Sequence, residues 1–181
     1  NKLIIGMIGS DVLRKGIYYL IKAFDTAEIG EAKLILNISK KNVLAHHELK
    51  EIVERNQNIE FCGYLKNIND FYERCSVFCL PSIDDGFGMV ICEAMANGLP
   101  VITTDCVGAS EFVENFSNGF VVKAGSIDEL AGALTYFYNT PESKKIMGSN
   151  ARRMYLGYEK SRNSYKAQLE LLIKTMLESR S

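Results

Sequence analysis

Short apolar runs alternate along this chain with longer stretches in which apolar residues recur every three or four positions. The runs near Leu3 to Ile8, Ala32 to Ile38, Ile59 to Cys62, Val77 to Leu80, Val101 to Thr103 and Gly119 to Val122 are bounded by turn-forming residues and read as strands. Between them, Ile17, Leu20, Ile21 and Phe24 mark one face of a helix. Ser126-Ile127-Asp128-Glu129 has the spacing of a capping box ahead of a helix that carries Leu130 and Leu134. Strands alternating with helices imply an α/β fold: a Rossmann-like, doubly wound parallel sheet of about six strands with helices on both faces. After about residue 140 the strands cease and a helical segment of about 141–178 follows, with Leu169, Leu172, Ile173 and Met176 on one face. That face must cover something, either this domain or another.

Composition narrows the picture. The 181 residues are 47% hydrophobic and 24% charged, enough for one domain, residues 1–181, with a true core. A net charge of −1 supplies no field for nucleic acid or an acidic membrane, and no apolar run reaches the roughly 18 residues of a spanning helix. The chain enters its first strand directly after Asn1-Lys2, with no initiator Met or leader, which is expected of a piece of a longer protein that lacks an N-terminal partner domain. Cys62, Cys75, Cys79, Cys92 and Cys106 fall mostly within apolar segments and lack zinc or disulfide spacing, so they are expected to be reduced core residues of a cytosolic protein. His46 and His47, the sole histidines, lie in a charged segment expected to form a surface helix, and are given no catalytic role.

One stretch breaks the structural pattern. From Pro81 to Pro100 a turn containing Gly86 and Gly88 leads into the segment Met89 to Ala96, whose single charge is Glu93, and Asn97-Gly98 ends it. A carboxylate enclosed by apolar residues is costly, so Glu93 has either a protein partner or a ligand in a cleft, and the glycine turn favours the cleft. Glycines let backbone N–H groups approach a ligand, and a helix N-terminus adds about half a positive charge, which together suit a phosphate. In open parallel sheets ligands sit beyond the carboxyl ends of the strands, where the loops after the first, fourth and fifth strands share a crevice. The first loop, Gly9 to Gly16, carries Ser10, Arg14 and Lys15, cations that either bind an oxyanion or are solvated. Asp85 either contacts a ligand or caps the turn into Gly86. After the fifth strand, Gly108 forms a turn, Ser110 starts a helix, and Glu111 is either a second ligand or a first-turn acid.

The ordered set comprises Lys15-Gly16, Ala23-Phe24, Phe61-Cys62-Gly63-Tyr64, Pro81-Ser82, Gly86-Phe87-Gly88, Glu93-Ala94-Met95-Ala96, Gly98-Leu99-Pro100-Val101-Ile102, Gly108, Glu111 and Asn118-Gly119. It resembles, nearly end to end, the C-terminal, donor-binding half of GT-B retaining glycosyltransferases of family 4, glycosyl transferases group 1. The resemblance implies that the family's two acids, with seven residues between them, are Asp85 and Glu93. Glu93 then binds the ribose hydroxyls of a nucleoside diphosphate sugar. Asp85 contacts the transferred sugar, and the backbone at Phe87, Gly88, Met89 and Val90 holds sugar hydroxyls and diphosphate. Lys15 matches the diphosphate lysine. Two positions depart from the family: Asp85 replaces the usual Glu, and Ser10 stands where an Arg is usual, with Arg14 as the replacement cation. Gly9, Gly86, Gly108 and Glu111 complete the implied donor site.

The implied activity is sugar transfer, with retained configuration, from a nucleoside diphosphate sugar to a glycan or lipid-linked hydroxyl in polysaccharide biosynthesis. It needs no metal or cofactor. The acceptor site lies on the absent N-terminal domain, so the isolated domain binds donor and does not turn over. A cytoplasmic site, with peripheral contact at the inner membrane face through the missing domain, is implied as well. Alternatives are a nucleotide-sugar binding module without transfer activity, or another GT-B-like enzyme such as an epimerase or a phosphorylase. Base identity is expected to be read by segments near Ile38 to Asn42 and Tyr64 to Lys66.

Overall fold

Six strands, β1 (Ile4–Ile8), β2 (Lys33–Asn37), β3 (Ile59–Phe61), β4 (Val77–Leu80), β5 (Val101–Thr104) and β6 (Gly119–Val122), pair in parallel in the order β3-β2-β1-β4-β5-β6 in a computed structural model. The structure describes residues 2–63 and 65–178, with side chains described as far as 162. Registry runs from Ile4 opposite Lys33 across β1 and β2, through Ile5 opposite Val77, to Phe78 opposite Val101 and Val101 opposite Gly119. β4 and β5 are buried at every position, as strands covered on both faces must be. The order reverses between β1 and β4, which opens a crevice at their carboxyl ends.

The helices are α1 (Ile17–Thr26), α2 (Lys40–Leu44), α3 (His47–Arg55), α4 (Ile68–Arg74), α5 (Met89–Ala96), α6 (Ile127–Asn139) and α7 (Ser143–Glu178). α1 buries Ile17, Leu20, Ile21 and Phe24, the stripe read from the sequence, and packs on α3 and α6. α5 packs on α7, and α4 on β1. α5 ends where Gly98 adopts φ +75, with Gly98 N–H donating to the Met95 carbonyl and Leu99 N–H to the Ala94 carbonyl, as in a Schellman stop. The face of Leu169, Leu172, Ile173 and Met176 lies outside the described side chains.

Two local expectations are corrected. Ser126 Oγ accepts the Glu129 N–H at 3.3 Å, but Glu129 Oε2 reaches past Ser126 to the Lys123 N–H at 2.8 Å, so half of the capping box forms. After β5 there is no α-helix. A 3-10 helix, Gly108–Phe112, begins two residues before Ser110, and the turn that follows is organised from within. Buried Asn118 accepts the Glu114 N–H and donates to the Phe112 carbonyl, which folds the turn so that Asn115 Oδ1 can take the outward Val121 N–H of edge strand β6. The sheet edge is thereby closed to further pairing. Cys79 and Cys92 are buried as expected, Cys62 and Cys75 are half-buried, and Cys106 is exposed. His46 precedes α3 and His47 begins it, the latter exposed. Among the described residues no helix is long and apolar enough to cross a membrane.

Candidate functional site

Three loops at the carboxyl edge of the sheet are stitched to one another by backbone bonds. Ile83 N–H donates to the Arg14 carbonyl at 2.8 Å, which joins the loop after β4 to the loop after β1. Asp85 N–H donates to the Cys106 carbonyl at 3.2 Å and Ala109 N–H to the Phe87 carbonyl at 2.7 Å, which joins it to the loop after β5. Both seams require glycine. Gly16 sits at φ +75, and a Cβ there would lie 1.8 Å from the Pro81 carbonyl oxygen; a Cβ on Gly108 would lie 2.4 Å from the Gly86 carbonyl oxygen. Gly86 differs, since a Cβ there would meet nothing within 4 Å. Its bareness serves no packing purpose and leaves the backbone open to a ligand.

The charged side chains gather on this frame. Lys15 Nζ lies 2.5 Å from Asp85 Oδ2, with the two side chains 20% and 11% exposed. The stem of Lys15 is fixed, because its Cβ and Cγ pack so closely on Gly9 that a Cβ at Gly9 would lie 3.1 Å from each. Arg14 is more open, with Nη1 3.4 Å from the Asp84 carbonyl and Nε 3.9 Å from Asp11. Asp85 is therefore held by an ion pair, and the local turn cap is not what positions it.

α5 is entered from Gly88, at φ +80, with no side-chain cap on its first turn. That leaves the N-terminal N–H groups of the helix directed at the crevice, where the helix dipole favours an anion. The first turn is less enclosed than its sequence implies: Met89 is 57% exposed and Val90 is half-buried. Phe87 packs edge-on against Phe112, with ring centroids 6.2 Å apart. Glu93, on the second turn, is half-buried and has a protein partner, the Tyr72 hydroxyl, which donates to Oε2 at 2.8 Å. Tyr72 is almost fully buried and lies edge-on to Phe71 and Phe78. Burial, followed by the Glu93 carboxylate, pushes its phenol far above the ordinary range, so it remains a donor.

Ser10 stands apart from the Lys15–Asp85 pair. It lines a cleft of about 350 Å³ with Asn37, Ile38, Ser39, Asn42, Gly63, Leu65 and Ile68, beyond the ends of β1, β2 and β3. Asn37 Nδ2 donates to the Gly63 carbonyl and ties the two walls together. Glu111 lies exposed in the 3-10 helix. Thus Arg14, Lys15, Asp85, Gly86, Phe87 and Gly108 form one connected cluster, Glu93 sits behind it on α5, and Ser10 opens onto the neighbouring cleft.

Tyr72 and Asn37 escaped the sequence reading. A hydroxyl-bearing aromatic beside Phe71 and a polar residue closing an apolar strand were the available signals. Tyr64 lies outside the described residues. Among those described, no three His, Cys, Asp or Glu side chains converge in a way that could hold a metal ion.

The family model described as glycosyl transferases group 1 matches residues 1–154. An uncharacterized glycosyltransferase of Haemophilus influenzae is 30% identical over 165 residues, covering 87% of this chain and 45% of that protein. The capsular polysaccharide biosynthesis glycosyltransferase CapM of Staphylococcus aureus is 29% identical over 157 residues, covering 84% and 41%. The chain thus spans less than half the length of these relatives. Among solved structures, the C-terminal domain of a glycosyl transferase group 1 family protein from Francisella tularensis superposes with a TM-score of 0.76 at 21% identity, covering 86% of this chain and 85% of that one. Anabaena Alr3699/HepE in complex with UDP-glucose gives 0.75 at 26% identity, covering 86% and 44%.

Proposed function

Because the chain belongs to the glycosyl transferases group 1 family, we propose that it is the donor-binding half of a two-domain enzyme that moves a sugar, with retained configuration, from a nucleoside diphosphate sugar to an acceptor hydroxyl. The observation that carries this reading is that the loop bearing Arg14 and Lys15, bare Gly86 and the uncapped start of α5 are brought together by backbone bonds at the carboxyl edge of the sheet. When the nucleoside diphosphate leaves, negative charge grows on its phosphate oxygens. The stem of Lys15 and the α5 N–H groups are in place in advance beside where that charge would form, which is electrostatic preorganisation. Glu93, with Oε2 held by Tyr72, offers Oε1 to ribose hydroxyls. The cleft between Ser10, Asn37 and Gly63 has the size for a base.

On this reading the acceptor, a glycan or lipid-linked hydroxyl, and its binding groups belong to the companion domain, and the chain alone binds donor without turnover. A second reading, a nucleotide-sugar module without transfer, draws on the engagement of Asp85 by Lys15. Calorimetric titration of the chain with UDP, GDP and ADP and their hexose conjugates, beside Glu93→Ala, tests the proposal. Saturable binding of one base class, lost in the variant, is expected. A flat titration of folded protein with all six would overturn donor binding by this domain. Donor binding without sugar transfer by the full-length protein would favour the module.

A further inference from the structure

The Lys15–Asp85 ion pair is short, largely withdrawn from solvent, and made by a cation that the proposed function assigns to the diphosphate and a carboxylate on the neighbouring loop. Resting on that reading, we propose that Asp85 discriminates the intact donor from the spent nucleoside diphosphate by competing with the diphosphate for Lys15.

Without ligand, Asp85 neutralises Lys15, and the low exposure of both groups limits screening by salt. A diphosphate entering beside the start of α5 brings two or more negative charges toward the same ammonium. The stem of Lys15 is pinned against Gly9, so the distal carbons alone can turn the ammonium to the phosphate. Asp85 cannot withdraw along the chain, because its backbone N–H is bound to the Cys106 carbonyl and its carbonyl accepts the Gly108 N–H at 3.4 Å. Its carboxylate must rotate on a fixed backbone, next to an anion, with its counter-ion shared.

Two outcomes follow for two ligands. A nucleotide sugar presents hydroxyl donors to the displaced carboxylate and restores hydrogen bonds to it. A nucleoside diphosphate has no sugar hydroxyls at that place, so Asp85 is left facing like charge and draws Lys15 back. Substrate is favoured over product by a carboxylate that already lies within reach of Lys15.

The test measures affinities of UDP and UDP-glucose, with the GDP–mannose and ADP–glucose pairs in parallel, for the chain and for Asp85→Asn, at low and physiological salt. The ratio of two affinities taken on one protein cancels any general loss of folded molecules. Asp85→Asn is expected to bind the nucleoside diphosphate roughly tenfold more tightly while the preference for the nucleotide sugar shrinks by a similar factor. Asp85→Ala should move both quantities in the same directions. If both ligands weaken by one common factor in either variant, Asp85 is a scaffold for Lys15 and the inference falls. If the unaltered chain binds none of the nucleotides, the underlying donor-site reading fails first, and this inference with it.

Discussion

Asp85 and Glu93 are separated by seven residues, yet the fold treats them in opposite ways. Asp85 lies on a loop and is held by a cation from another loop, across a seam of backbone bonds. Glu93 lies on α5 and is held by a neutral phenol that rises from a buried aromatic cluster of Tyr72, Phe71 and Phe78. An ion pair between loops can be exchanged for a charged ligand, whereas a hydrogen bond anchored in the core keeps its direction whatever enters. On the proposed reading, the difference separates a carboxylate that responds to the ligand from one that positions it.

The largest effect is expected where the responsive side is held together. Gly16→Ala places a Cβ 1.8 Å from the Pro81 carbonyl oxygen at a left-handed backbone position, and should cost about 3 kcal/mol or more of stability, read as a fall in thermal midpoint. A midpoint unchanged within error would show that the two loops are not locked. Next comes Lys15→Met, which retains the stem and removes the charge. Binding of UDP, or of whichever nucleoside diphosphate the chain takes, should fall about tenfold to a hundredfold, and binding of the matching nucleoside should hardly change. Equal losses for both would place Lys15 away from the phosphates.

Tyr72→Phe sharpens the other side of the comparison. Removing a hydroxyl that donates to a carboxylate forfeits about 1.5–3 kcal/mol. Nucleotide affinity is expected to fall about tenfold with far-UV circular dichroism unchanged, and an unaltered affinity would show that Glu93 needs no anchor. Because the phenol is pushed well above its ordinary range, it stays protonated as pH rises. The Glu93-dependent part of binding should therefore stay level into mildly alkaline solution.

The smallest expected effect is a chemical footprint of the same contrast. Cys106, exposed in the loop whose carbonyl holds Asp85, should be alkylated by iodoacetamide at about pH 8, and more slowly with nucleotide bound. Cys75, near Tyr72, has its thiol pushed up to about 12 by burial, so it carries almost no thiolate at that pH and should remain unmodified in intact-mass spectra. Labelling of Cys75 before Cys106 would reverse the assignment of the rigid and open regions.

Strand positions were legible to within about a residue because a strand buried on both faces has to be apolar along its length, and turn residues bracket it. The crossover after β5 misled, since Ser110-Glu111 has the letters of a helix start while the turn is built by Asn118 from further along the chain. Cys106 was read with the core because apolar neighbours in sequence say little about a side chain at a loop tip.

What the amino-acid sequence determined by itself was the sheet and its winding, which follow from local periodicity, and the strand ends at which a candidate site was to be sought, which follow from the rule that ligands lie beyond them. It also singled out Glu93 as a carboxylate that must have a partner, because the cost of burying charge is a property of the residue and its neighbours. Which partner it has was decided by the tertiary structure: Tyr72, 21 residues away, reaches it only because α4 and α5 are brought together on the sheet. Likewise Lys15 and Asp85, 70 residues apart, become a pair because the parallel pairing of β1 with β4 sets their loops side by side. Attraction between charges falls with distance in space, and distance in space is what the linear sequence does not carry.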